Sequence, residues 1–158
     1  MREYIVSALI LLCGSAASAQ TVAAGSKVVK DSKGLCQIAV PADWTLLDAN
    51  TGAAVFHDAG TGIAVVTAQL GQAFQPLTAN LLRVMDVPKA KMFENTARRI
   101  FYQDKTSKNA GDPNAFSASV PGGGGTCSCH LVVMPSVPEE VVKAITLSIA
   151  PVAERRKT

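Results

Sequence analysis

Apolar and polar positions alternate along Leu35-Cys36-Gln37-Ile38-Ala39-Val40, the period-two pattern of a strand with Cys36, Ile38 and Val40 on one face. Pro41 cannot donate to a strand ladder and ends the run, so Pro41-Ala42-Asp43-Trp44 is read as a turn that returns the single tryptophan to the core. Residues 53–58 and 62–70 form a second expected strand pair, joined through the turn-rich Ala59-Gly60-Thr61-Gly62. Within it His57 falls on the face of Val55 and Asp58 on the other, which separates the two as a catalytic couple and leaves a strand-end or surface histidine.

The period changes at Pro76. Leu77, Leu81, Val84 and Met85 recur at the spacing of one buried helix face, Pro88 interrupts, and residues 90–97 are expected to continue as a second short helix. Arg98 to Gln103 then reads as a strand with Ile100 and Tyr102 on one side and Phe101 on the other, covered from both sides. A polar loop, Asp104 to Asn114, leads to a strand over Ala115 to Val120. The run Pro121-Gly122-Gly123-Gly124-Gly125 enters another strand rather than a helix N-terminus, so it is a permissive hairpin or lid and not a phosphate cradle. A helix from about Val137 to Ile149 closes the pattern, with Ser136 and Glu139 at capping-box spacing and Val141, Val142, Ile145 and Ile149 on its apolar face.

The N-terminal end reads as an export signal. Arg2 supplies the positive end, Tyr4 to Cys13 the apolar run and Ala17-Ser18-Ala19 the cleavage site, so residues 1–19 are a signal peptide. A lipoprotein signal using Cys13 is the weaker reading, because bulky Leu12 precedes it. No retained membrane anchor is expected. Residues 20–34, small, polar and dotted with lysine, are expected to be a flexible leader; residues 35–152 form a single domain and 153–158 a solvated tail. The formal charge of +3, with acids and bases interspersed, gives no footprint for nucleic acid and no polybasic membrane anchor. Lys89, Lys91, Arg98, Arg99, Lys105 and Lys108 make a mildly basic region for which solvated charge is the commoner meaning.

Export keeps disulfides available to Cys36, Cys127 and Cys129, an odd number that permits at most one internal pair. A bridge from Cys36 to Cys127 or Cys129 is expected, with Cys129 preferred because Cys127 lies nearer the glycine run. As a bare motif, Cys127-Ser128-Cys129-His130, joined by His57, offers sulfur and imidazole ligands for copper or zinc. Alternation weakens that reading, since His130 points away from the cysteines on a regular strand. The chain has no G-x-S-x-G, H-E-x-x-H or C-x-x-C motif; Cys129 with His57 is the one nucleophile and base pair left open.

The strand ending in Val40-Pro41-Ala42-Asp43-Trp44 and the closing run Val141-Val142-Lys143-Ala144-Ile145-Thr146-Leu147-Ser148-Ile149 resemble the PsbP-like fold family, over about Leu35 to Val152. That group includes the extrinsic photosystem II subunit, a yeast Ran-binding nuclear transport factor and exported bacterial proteins of unknown role. The resemblance implies an α+β fold, an antiparallel sheet sandwiched between helices, and a domain that binds a protein or other envelope partner. It carries over no functional residue. Two classes of function follow: an exported binding domain without catalysis, periplasmic or secreted, or a metal or thiol redox protein using the Cys127 to His130 segment.

Overall fold

The structure is a computed structural model that describes residues 25–48, 53–57, 62–84, 91–104, 112–122 and 124–153. Its first strand, β1 (Ser26–Lys30), lies inside the stretch expected to be a flexible leader. It forms because Val28 and Val29 sit beside a hairpin partner, β2 (Cys36–Pro41), in an unbroken antiparallel register from Ser26 opposite Pro41 to Lys30 opposite Gln37. The turn between them is held by Asp31, a buried carboxylate that accepts the backbone N–H groups of Lys33, Leu35 and Cys36. Such local capping lets a charged group be buried, because its acceptors are satisfied by donors the turn would otherwise orphan.

The chain continues through β3 (Thr45–Asp48), β4 (Ala53–His57), β5 (Gly62–Leu70), α1 (Ala79–Val84), β6 (Lys91–Asn95), β7 (Ile100–Asp104), β8 (Asn114–Gly122), β9 (Gly125–Val133), α2 (Glu139–Leu147) and β10 (Ala150–Pro151). Two antiparallel sheets result. One has three strands in the order β1-β2-β10, the other seven in the order β3-β4-β5-β9-β8-β7-β6. The small sheet and α2 cover one face of the large sheet, and there the core sits. Cys36, Ile38 and Val40 of β2 and Val142, Ile145 and Ile149 at α2 meet Ala64, Val66, Leu131, Val133, Phe116 and Ala118. Because β10 is only two residues long, Ser148 completes that side of β2: its Oγ accepts from the Ala39 N–H at 2.7 Å while donating back to the Ile145 carbonyl at 2.6 Å. Trp44 is 2% exposed and its backbone N–H donates to the Pro41 carbonyl, the turn expected from Pro41-Ala42-Asp43-Trp44.

The architecture corrects the α+β expectation of a sheet sandwiched between helices. The described residues hold ten strands and two short helices, and α2 packs on one face only. Two local readings explain the difference. Residues 90–97, expected to be helical, supply β6, whose pairing with β7 and the stacking of Phe93 on Phe101 at 4.6 Å override a weak local helical preference. The stripe beginning at Leu77 forms only the six-residue α1, which buries none of its side chains. The capping box at α2 is also corrected. Pro138 occupies the cap position with no side-chain cap, and Glu139 pairs instead with Lys143 at 2.7 Å, one turn on, which holds its carboxyl below the ordinary range. The expected export signal and the tail beyond residue 153 lie outside the described residues.

Candidate functional site

Strand β9 decides the fate of the segment that looks most like chemistry. Its burial alternates, with Cys127, Cys129, Leu131 and Val133 facing the core and His130 exposed on the other side. Cys127 bridges Cys36, the two Cα atoms 5.5 Å apart, and Cys129 is the free, buried thiol. The preference for Cys129 in the bridge is thereby corrected. Cys36 is the first residue of β2, beside Pro151, and the Cys127 Sγ lies 3.9 Å from the Leu35 carbonyl just before it. Nearness of Cys127 to the glycine turn does not loosen it, because the β8–β9 pairing runs without a break to Gly122 opposite Gly125.

Cys129 sits between Val66 and Ala118 in the cross-strand row, among apolar neighbours. Burial pushes its pKa up to about 12, so it is protonated and unreactive at neutral pH. The copper or zinc reading needed Cys127, Cys129, His130 and His57 together. The fold spends Cys127 in the bridge and turns Cys129 and His130 to opposite faces. His57 occupies the row of Gly62 and Val133, at the far end of β9 from Cys127. Among the described residues no three His, Cys, Asp or Glu side chains converge as a metal site. The open pairing of Cys129 with His57 is likewise not assembled, since Val133 rather than Cys129 is the β9 residue in that row.

The opposite face of the large sheet carries the polar positions of β8 and β9. Register places Val65, His130, Ser117 and Tyr102 in one cross-strand row and Thr67, Ser128, Ser119 and Ile100 in the next. Ser117 Oγ lies 2.8 Å from His130 Nδ1 and Ser119 Oγ 2.9 Å from Ser128 Oγ, two ladder pairs bridging β8 and β9. Ile63, 39% exposed, and Val132 add an apolar margin. The first row continues across β4 through Ala54 to Asp48 on β3, so its carboxylate stands at the sheet edge and the hydroxyls and imidazole at its centre. No described helix or strand makes an extensive contact with its middle; at the β6–β7 end Asn95 holds Leu77 by two hydrogen bonds beside buried Ile100. Asp48, the carboxylate of that row, stands three strands away from His130, too far to orient the imidazole of the His130 and Ser117 pair.

A cleft of about 260 Å³ also opens between the Pro41 to Trp44 turn and the start of α2, lined by Pro41, Asp43, Trp44, Val137, Pro138 and Val141. It is smaller than the roughly 300–1,000 Å³ of small-molecule sites. No helix of the described residues is long and apolar enough to cross a membrane. Of the expected basic region, Lys91, Arg98 and Arg99 are described; Arg99 pairs loosely with Glu94 at 3.8 Å, and the Lys91 and Lys143 ammonium groups lie over the Phe93 ring.

The sequence reading passed over Ser117, Ser119, Ser128, Thr67 and Tyr102. Their signal was present: Phe116-Ser117-Ala118-Ser119-Val120 and Cys127-Ser128-Cys129-His130 both alternate apolar with hydroxyl or imidazole, a polar outer face written in two neighbouring strands. No protein-family model, curated protein or solved structure matches the chain.

Proposed function

We propose that the chain is an exported, disulfide-stapled binding domain with no catalytic role, and that it engages a protein or other envelope component through the outer face of its large sheet. The observation that carries this reading is the contrast between the two faces. One is buried beneath β1, β2, β10 and α2, whereas the other presents neutral hydroxyls, His130 and an apolar margin with no described element in extensive contact with its middle. A surface of hydroxyls and an imidazole with an apolar margin suits a partner that is itself mostly uncharged, and it lacks the clustered cations that nucleic-acid phosphates need. The Cys36–Cys127 bridge supports an oxidising compartment.

The test is positional. A photoreactive phenylalanine is placed at His130 on the outer face and, in a second protein, at Lys30 on β1, and each is irradiated in its native envelope. A discrete adduct from position 130 and none from position 30 is expected. Equal labelling at both, or none at 130, overturns the proposal.

A further inference from the structure

The cleft between the Pro41 to Trp44 turn and the start of α2 is too small for most small molecules, but its walls are specific. Pro41, Trp44, Val137, Pro138 and Val141 make them aliphatic and aromatic, and Asp43 is the one charged lining residue. Prolines offer no backbone N–H, so an occupant gains there by apolar contact rather than by pairing with the chain. One step beyond the last ladder pair of β1 and β2, Ser26 with Pro41, the Ala42 N–H donates to the Gly25 carbonyl at 2.9 Å, and Lys27 Nζ donates to the Trp44 carbonyl. Gly25 is thereby fastened to the residue that lies between Pro41 and Asp43 of the lining, and its φ of 85° deflects the chain from the line of β1 at that point.

The residues that precede Gly25 have the composition such a cleft takes. Gln20-Thr21-Val22-Ala23-Ala24 carries no charge, and Val22 is its one large aliphatic side chain. Starting from Gly25, the extended chain to Val22 spans about 10 Å, enough to cross a cleft of about 260 Å³. A segment tethered at the rim binds as an intramolecular partner, at an effective concentration on the order of millimolar, so a modest apolar contact seats it where a separate peptide of the same affinity would not stay. We propose that the occupant of the cleft is this segment of the chain itself, with Val22 inserted against Val137, Pro138 and Val141 once the export signal has been removed after Ala19. The cleft is then an internal docking site for the mature N-terminus rather than a ligand pocket. It is distinct from the outer sheet face, so its test and photocrosslinking at position 130 succeed or fail separately.

The isotope-labelled chain from Gln20 is compared with its Val22→Asp and Thr21→Asp variants by nuclear magnetic resonance and by denaturant unfolding. Nuclear Overhauser contacts from the Val22 methyls to Val141 or Pro138 are expected in the wild type. The Val22→Asp variant is expected to show a folding equilibrium constant about five- to tenfold lower, the scale of one partly buried valine, whereas Thr21→Asp, which removes no aliphatic contact, stays within about twofold of wild type. Val22 methyls without contacts to those residues overturn the proposal, as does a loss in Thr21→Asp equal to that in Val22→Asp. Contacts that appear only between differently labelled molecules in a mixed sample assign the cleft to a second copy's segment and also overturn it.

Discussion

Cys36 and Cys127 join the two sheets: the bridge ties the first residue of β2 to β9 across 91 residues of chain. A loop of that length, closed in the unfolded state, corresponds to up to about 4 kcal/mol of stabilisation. The Cys36→Ala, Cys127→Ala double variant, or the reduced protein, is expected to lose stability on that scale in a denaturant titration. An unchanged midpoint would show that the bridge does not constrain the fold.

Cys129 sets an alkaline limit. Its folded pKa, about 12, lies above the value of roughly 8.5 for an unfolded thiol, so its contribution is intact below about 8.5 and is lost as pH rises toward the folded value. Relative to neutral pH, wild-type protein is expected to lose on the order of 1–2 kcal/mol more than Cys129→Ala by about pH 10. Parallel stability curves for the two proteins between those limits would remove this account of the thiol.

Asp31 tests the capping of the β1–β2 turn. Oδ1 accepts from Leu35 and Cys36 and Oδ2 from Lys33, at 2.7, 2.7 and 3.0 Å. Asp31→Ala leaves three donors without this acceptor and is expected to cost about 2–3 kcal/mol, whereas Asp31→Asn keeps one oxygen and costs about 1 kcal/mol. Amide exchange at Leu35 and Cys36 should accelerate in the same order; equal effects of the two variants would contradict the capping role.

Gly125 is required for close approach. A Cβ there would lie 2.0 Å from the Gln69 carbonyl oxygen of β5, whereas at Gly124 the added carbon would meet only Leu70, at 3.6 Å, with a positive φ to accommodate. Gly125→Ala is expected to cost roughly 2 kcal/mol or more by prising β9 from β5, and Gly124→Ala about 1 kcal/mol. Thermal unfolding that ranks them the other way would refute the close contact.

Much of the fold was legible where a single period governs a segment. Alternation located β2, β5, β8 and β9, and the apolar face of α2 followed from Val142, Ile145 and Ile149. Two kinds of information were not local. Lys91 to Asn95 becomes a strand through its ladder to β7, and Val28 and Val29 are ordered by β2; neither segment has a strong period of its own. The choice of Cys127 over Cys129 depended on where β2 crosses β9, which alternation leaves open because both cysteines share one face. The outer face was written in Ser117, Ser119, Ser128 and His130, but isolated hydroxyls acquire meaning only when register sets them side by side.

Strand β9 divides its chemistry: Cys127 is bridged to Cys36, Cys129 is a buried free thiol of the core, and His130 is exposed on the other face. Alkylation of the folded protein with iodoacetamide at neutral pH, followed by denaturation, a second distinguishable alkylation and non-reducing peptide mapping, reads this directly. The predicted result is a Cys36–Cys127 linkage with Cys129 modified only after denaturation. Modification of Cys129 in the folded protein, or three free thiols, would contradict it.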